Sequence, residues 1–246
     1  MAIKNYLVSS IFNIKTTQWA WKDRSDEGDI RMYYHQMYDV SVASFEQFLE
    51  GDFTTMCWAG SVDNPTLIAR RNWDLIKELW NSQECNILWH GPDTQMVKPT
   101  EIFGKYQDFE IFSWTDPKTI AGAPNYFNND IRYFPSTMSK DVWALGDELV
   151  EKWDTSNTEQ GWNYEQIMHN KMFWSQKNKT LENSLRPDVV YQAQWLPGDS
   201  ETKAKQDEWN GGKLEDAHII HWHGSRSAQA KLGIMRTFAE LTGVKA

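Results

Sequence analysis

Two short polar turns, each at the end of an apolar run, hold the residue types best suited to chemistry. The first is Trp89-His90-Gly91-Pro92-Asp93-Thr94. A carboxylate such as Asp93 at that place can bind a hard divalent cation, Mg²⁺ or Mn²⁺, through oxygen. Taken alone, Pro-Asp is an ordinary turn dipeptide. The second is His218-Ile219-Ile220-His221-Trp222-His223-Gly224-Ser225-Arg226-Ser227. In a strand, His221 and His223 share one face and His218 points to the other. Gly224 lets a ligand approach the backbone closely. Ser225 or Ser227 can cap a following helix, whose first amides favour an anion, and Arg226 can grip a phosphate oxygen. A plainer alternative for this stretch is a strand end with two solvent-facing histidines.

Strands and helices must bring those turns together. Lys4 to Phe12 reads as a first strand and Phe53 to Trp58 as a second, with the charged run 22–31 between them as a surface loop. Asn64 caps a helix with Pro65 at its first position, and Ile68, Leu75, Ile76, Leu79 and Trp80 keep a helical period along it. Asn86 to Trp89 is then a short buried strand. Its polar turn lies at the carboxyl end, where open α/β sheets bind ligands. Later strands are expected at Phe109–Trp114 and Asp130–Phe134, and helices at about 140–153 and 162–174. Residues 176–216 read as loops and short edge strands. Ala217 to Trp222 is a last strand, leading into a helix that carries Ile234, Phe238 and Leu241 and stops at Gly243. The alternation predicts an α/β class with a sheet flanked by helices.

Composition narrows the possible partners. The net charge of −9 comes with no basic stripe, so no nucleic-acid partner is expected, because phosphate neutralisation dominates such binding. No stretch approaches the roughly 18 apolar residues of a membrane span, so no transmembrane segment is expected. Met1 to Phe12 reads as a strand and not as a signal peptide. Cys57 and Cys85 lie in apolar surroundings and make neither a disulfide framework nor a metal spacing, which points to a cytoplasmic setting. The 14 tryptophans suit a sugar-binding surface, although most of them are expected in the core.

The stretch Arg70 to Phe103 resembles the donor-site segment of GT-A-fold glycosyltransferases, in particular the glycogenin and lipopolysaccharide galactosyltransferase-like group. That group carries an arginine-bearing helix, an apolar strand, Asp-x-Asp-Thr and a Lys-Pro helix start; here Gly91-Pro92-Asp93-Thr94 is followed by Lys98-Pro99. Tyr126-Phe127-Asn128-Asn129-Asp130-Ile131 resembles its Phe-Asn-Ser-Gly-Val strand, and Glu165 to Asn170 its Asp-Gln-x-x-x-Asn helix. His221-Trp222-His223-Gly224-Ser225 resembles its terminal His-Phe-x-Gly segment. The matches keep the family's order over about residues 65–230. Three departures stand out. Gly91 replaces the first aspartate, which leaves His90 to compensate or the metal weaker; Glu165 replaces an aspartate; and Arg226-Ser227 replaces a Lys-Pro.

The resemblance implies one GT-A, Rossmann-like domain over 1–246 with a mixed central sheet, its donor-binding half about 1–115 and its acceptor side about 116–246. It implies a metal-dependent transferase that moves a sugar from a nucleotide-sugar donor, a UDP-sugar by family analogy, to a saccharide or glycoconjugate acceptor. Asp93 and His221 would hold Mn²⁺ or Mg²⁺. Gly224, Ser225 and Arg226 would contact phosphate, and Arg70 or Arg71 the donor. Asn129, Glu165 and Gln166 would line the reacting sugar. Glu165 suits a general base in an inverting reaction, whereas Gln166 slightly favours retention. The rivals are a non-catalytic carbohydrate- or nucleotide-binding relative, and a zinc hydrolase built on His218, His221, His223 and Asp93.

Overall fold

The computed structural model describes residues 3–14, 30–63, 66–112, 115–116, 126–127, 130–153, 161–177, 179, 190–193, 204, 207–208, 210, 212–222 and 228–245. Along them run β1 (Asn5–Ile14), α1 (Ile30–Phe48), β2 (Leu49–Glu50), β3 (Thr54–Val62), α2 (Thr66–Gln83), β4 (Asn86–His90), β5 (Thr94–Met96) and β6 (Thr100–Glu101). Then come β7 (Glu110–Ile111), β8 (Thr115–Asp116), β9 (Tyr126–Phe127), β10 (Ile131–Phe134), α3 (Lys140–Glu151) and α4 (Gly161–Trp174). The chain continues through β11 (Val190–Ala193), a 3₁₀ turn at Leu214–Asp216, β12 (Ile219–Trp222) and α5 (Ala228–Thr242).

The main sheet has the order β3-β1-β4-β10-β7. β1 pairs in parallel with β3 and β4, and β10 runs antiparallel to both β4 and β7. Leu7 and Val8 on β1 and Ile87 and Leu88 on β4 are fully buried on alternate faces, as central strands covered by helices require. One face packs against α2, α3 and α4 through Trp73, Ile76, Trp143, Met168 and Met172. A second, three-stranded sheet, β11-β12-β5, lies against α1 and α5 through Met37, Val40, Ile220, Leu232 and Met235. The mixed sheet flanked by helices agrees with the expected class.

Several elements differ from expectation. β3 runs on to Val62 beside the equally long β1, so both strands project past β4. Helix α1 has no counterpart in the reading of the sequence; it buries Met37, Val40, Ser41, Ser44 and Phe45. Two of those five are serines, invisible to an apolar count. On α5, Ile234 and Phe238 pack inward, whereas Leu241 is 76% exposed. Cys57 is exposed, whereas Cys85 is buried.

Candidate active site

Backbone pairing brings three segments to one point at the carboxyl end of β4. β10 pairs with β4 so that Ile131 stands opposite His90, which sets Asp130 across from Gly91. The Gly91 amide donates to the Asp130 carbonyl at 2.7 Å. Thr94 closes the turn, its hydroxyl donating to the Gly91 carbonyl at 2.7 Å. β5 then pairs with β12, His221 standing opposite Thr94, and the Trp222 amide donates to the Asp93 carbonyl at 2.9 Å. Asp93, Asp130 and His221 are therefore held by main-chain hydrogen bonds, which fix position better than side-chain contacts alone.

Their side chains converge. One ligand atom from each of Asp93, Asp130 and His221 lies within 4.8 Å of the others. His221 Nε2 is 2.8 Å from Asp130 Oδ2 and 3.8 Å from Asp93 Oδ2. Lys231, on the first turn of α5, donates to Asp93 Oδ2 at 2.6 Å. Burial works against every charge here, but the partners outweigh it. Lys231 and His221 hold the Asp93 carboxyl well below the usual carboxylate range. Asp130, then Asp93, hold the His221 imidazole up at about 9. Asp93 likewise keeps Lys231 above its ordinary value. At pH 7 the Asp93 carboxylate thus faces an ammonium and an imidazolium.

Asp130 brings a second carboxylate beside Asp93. A Cβ on Gly91 would stand 3.1 Å from Asp93 Oδ1 and 3.5 Å from both the Cβ and Oδ1 of Asp130. A side chain at 91 would crowd the Asp93 carboxylate and touch Asp130, which stands one residue before β10 and supplies the second carboxylate. His90 does not compensate. Its ring points toward α1, where it stacks on Phe45 with centroids 4.6 Å apart and shares a 3.0 Å hydrogen bond between Nδ1 and Ser41 Oγ. Burial lowers its pKa to about 4, so it is neutral.

A buried layer supports the site from below. Arg132, two residues after Asp130, lies 3.7 Å over the Trp89 ring and donates to Glu165 Oε1 at 2.5 Å. Its Nη1 is also 3.0 Å from His169 Nδ1; burial and the Arg132 charge push His169 well below its ordinary value, so the ring is neutral and can accept. Asn170 clamps the β9 backbone in both directions: its Oδ1 takes the Phe127 amide at 2.8 Å and its Nδ2 donates to the Phe127 carbonyl at 2.9 Å. Helix α4 thereby anchors both flanks of the segment leading to Asp130.

Of the residues picked out from sequence, the structure brings Asp93 and His221 together. Glu165 is buried against Arg132, and Gln166 is half-buried one residue on. Arg70 is exposed on α2. Arg71 lines a cleft of about 460 Å³ together with Phe12, Trp58, Gly60, Ser61 and Leu75, at the projecting ends of β1 and β3. Asn129, His223, Gly224, Ser225, Arg226 and Ser227 lie outside the described residues. His218 bonds Thr100 at 3.0 Å and takes no part in the cluster. That removes the third histidine of a zinc hydrolase. Asp130 and Lys231 are not among the residues the sequence singles out; the one signal for the first is its place at the head of the expected Asp130–Phe134 strand.

No protein-family model matches the chain, and no curated protein matches it. Among solved structures it is similar to a glycosyltransferase involved in the glycosylation of the major capsid of PBCV-1. The TM-score is 0.54 at 13% identity, covering 95% of this chain and 99% of that one. The likeness is one of fold: the chain has the mixed α/β architecture of a glycosyltransferase. Among the described residues, no helix is long and apolar enough to cross a membrane.

Proposed function

We propose that this chain is a metal-dependent glycosyltransferase that moves a sugar from a nucleoside-diphosphate sugar, a UDP-sugar on the resemblance above, to a saccharide or glycoconjugate acceptor. The observation that carries this reading is the Asp93-Asp130-His221 cluster at the carboxyl end of β4 in a glycosyltransferase fold. Two carboxylates and a neutral imidazole make a hard, mostly oxygen donor set that suits Mn²⁺ or Mg²⁺, and donor atoms within 4.8 Å of one another can close on one ion once His221 gives up its proton. When bound, such an ion neutralises charge on the departing nucleoside diphosphate.

The protein's own groups do the rest. Arg71 and the aromatic side chains of Phe12 and Trp58 form a cleft suited to the nucleoside, on the edge of the sheet to which β1 and β3 project. Gly224, Ser225 and Arg226 precede α5 and supply backbone amides and a guanidinium to phosphate. Asn129, one residue before Asp130, and Gln166 line the sugar. Glu165 is 2.5 Å from a fully buried arginine. It serves better as the counter-ion that holds Arg132 and β10 than as a base taking a proton from an acceptor. That favours retention of configuration, with Gln166 facing the reacting carbon.

The test is thermal stability with UDP, GDP and CDP, each with Mn²⁺ and with EDTA. A ligand that binds only the native state raises the melting temperature by mass action. One nucleotide should give a shift that EDTA removes and that Asp93→Ala and Asp130→Asn both abolish. No shift with any nucleotide would move the reading to a non-catalytic carbohydrate-binding relative.

A further inference from the structure

Asp93 already holds a cation. The Lys231 ammonium sits 2.6 Å from Asp93 Oδ2, the same oxygen that faces His221 Nε2 at 3.8 Å. Only 11% of the lysine side chain and 16% of the aspartate are exposed, so this is an enclosed pair and not a surface contact. Asp93 Oδ1 is turned toward Gly91. An ion shared by Asp93, Asp130 and His221 would have to use the oxygen that Lys231 now occupies, or lie about 4 Å from a fixed positive charge.

We propose, building on the metal-bridged donor site above, that Lys231 is the resident counter-ion of that site. A divalent ion enters by displacing the ammonium from Asp93, so Lys231 makes binding of the free ion weak. Leaving a buried ammonium without an anion is costly. The diphosphate of the donor is the anion that arrives with the ion, so ion and donor enter as a pair. The geometry agrees with this order: the ammonium is enclosed with Asp93, and an anionic diphosphate arriving with the ion gives it a new partner.

The experiment is titration of Mn²⁺ followed by the electron paramagnetic resonance of the free ion, with and without UDP. It uses the wild-type chain, Lys231→Gln and Lys231→Arg. Removing a unit charge about 4 Å from the ion should tighten Mn²⁺ alone on the order of tenfold in Lys231→Gln. UDP should improve Mn²⁺ binding more in the wild type than in that variant. Lys231→Arg keeps the charge and grips a carboxylate with two donors, so it should bind Mn²⁺ alone no better than wild type. Equal Mn²⁺ affinity in wild type and Lys231→Gln overturns the role of Lys231 and leaves the metal site standing. Should Lys231→Gln not fold, a Lys231→Arg chain that binds Mn²⁺ alone more tightly than wild type overturns it equally. If no form binds Mn²⁺ even with UDP, the metal-bridged reading falls, and this inference with it.

Discussion

Restoring an aspartate at position 91 is the most direct test of the idea that Asp130 has taken its place. If the site needs two acids and has them, a third in Gly91→Asp should harm the metal-free protein. The new Cβ would lie 3.1 Å from Asp93 Oδ1 and 3.5 Å from Asp130, so its carboxylate would fall about 4 Å from both. At that distance one like-charge pair costs roughly 4 kcal/mol at an effective dielectric near 20. Lys231 and the protonated His221 offset part of it, and Asp130, 31% exposed, is partly screened. A net loss on the order of 2–4 kcal/mol remains. For a chain of this size that is a fall of roughly 4–16 °C in melting temperature. Gly91→Asn has nearly the same shape without the charge and isolates the steric part. The assay is thermal unfolding in EDTA and in excess Mn²⁺. Gly91→Asp should melt well below Gly91→Asn in EDTA and recover in Mn²⁺, because the extra acid strengthens binding to the native state. Equal melting of the two variants in EDTA would refute the argument that positions 91 and 130 share one charge site.

Two further outcomes follow from the layer around the site. A Cβ added at Gly146 would come within 2.3 and 2.4 Å of the rigid Trp73 ring, so Gly146→Ala should destabilise by about 1–3 kcal/mol despite alanine's advantage in a helix; an unchanged or higher urea midpoint would show that α3 can move away. His90 is neutral in the fold, burial lowering it from 6.5 to about 4, while the unfolded chain takes up the proton near 6.5. Its contribution is therefore intact above about pH 6.5 and lost as pH falls toward 4, about 3 kcal/mol in all, and His169 acts in the same direction. Urea midpoints at pH 7, 5.5 and 4 should fall steeply for the wild type and less steeply for His90→Gln; parallel slopes would show that His90 is not the titrating group.

Much of the frame was legible from residue order alone. The apolar runs at 4–12, 86–89 and 217–222 and the helix after Asn64 rest on local patterns, and the structure keeps them as β1, β4, β12 and α2, while the expected cap at Asn64 and Pro65 lies outside the described residues. Asp93 and His221 stood out because each is a metal-ligating side chain at an apolar strand's end, a one-dimensional signal. Their nearness to each other was not local information. It depends on β5 pairing with β12, which lies more than a hundred residues away in sequence. Helix α1 escaped notice because the stripe it buries alternates Met37, Val40 and Phe45 with Ser41 and Ser44, and those serines are satisfied by Met96 and His90 on other elements. Asp130 reads in sequence as the start of a strand. The antiparallel register of β10 against β4 sets it opposite Gly91, so that its carboxylate comes beside Asp93. Glu165 shows the same limit, since its partner Arg132 lies on another element 33 residues away. Residue type and spacing determined which groups could bind a metal. Strand register and helix docking decided which of them meet, and that a lysine from α5 meets them too.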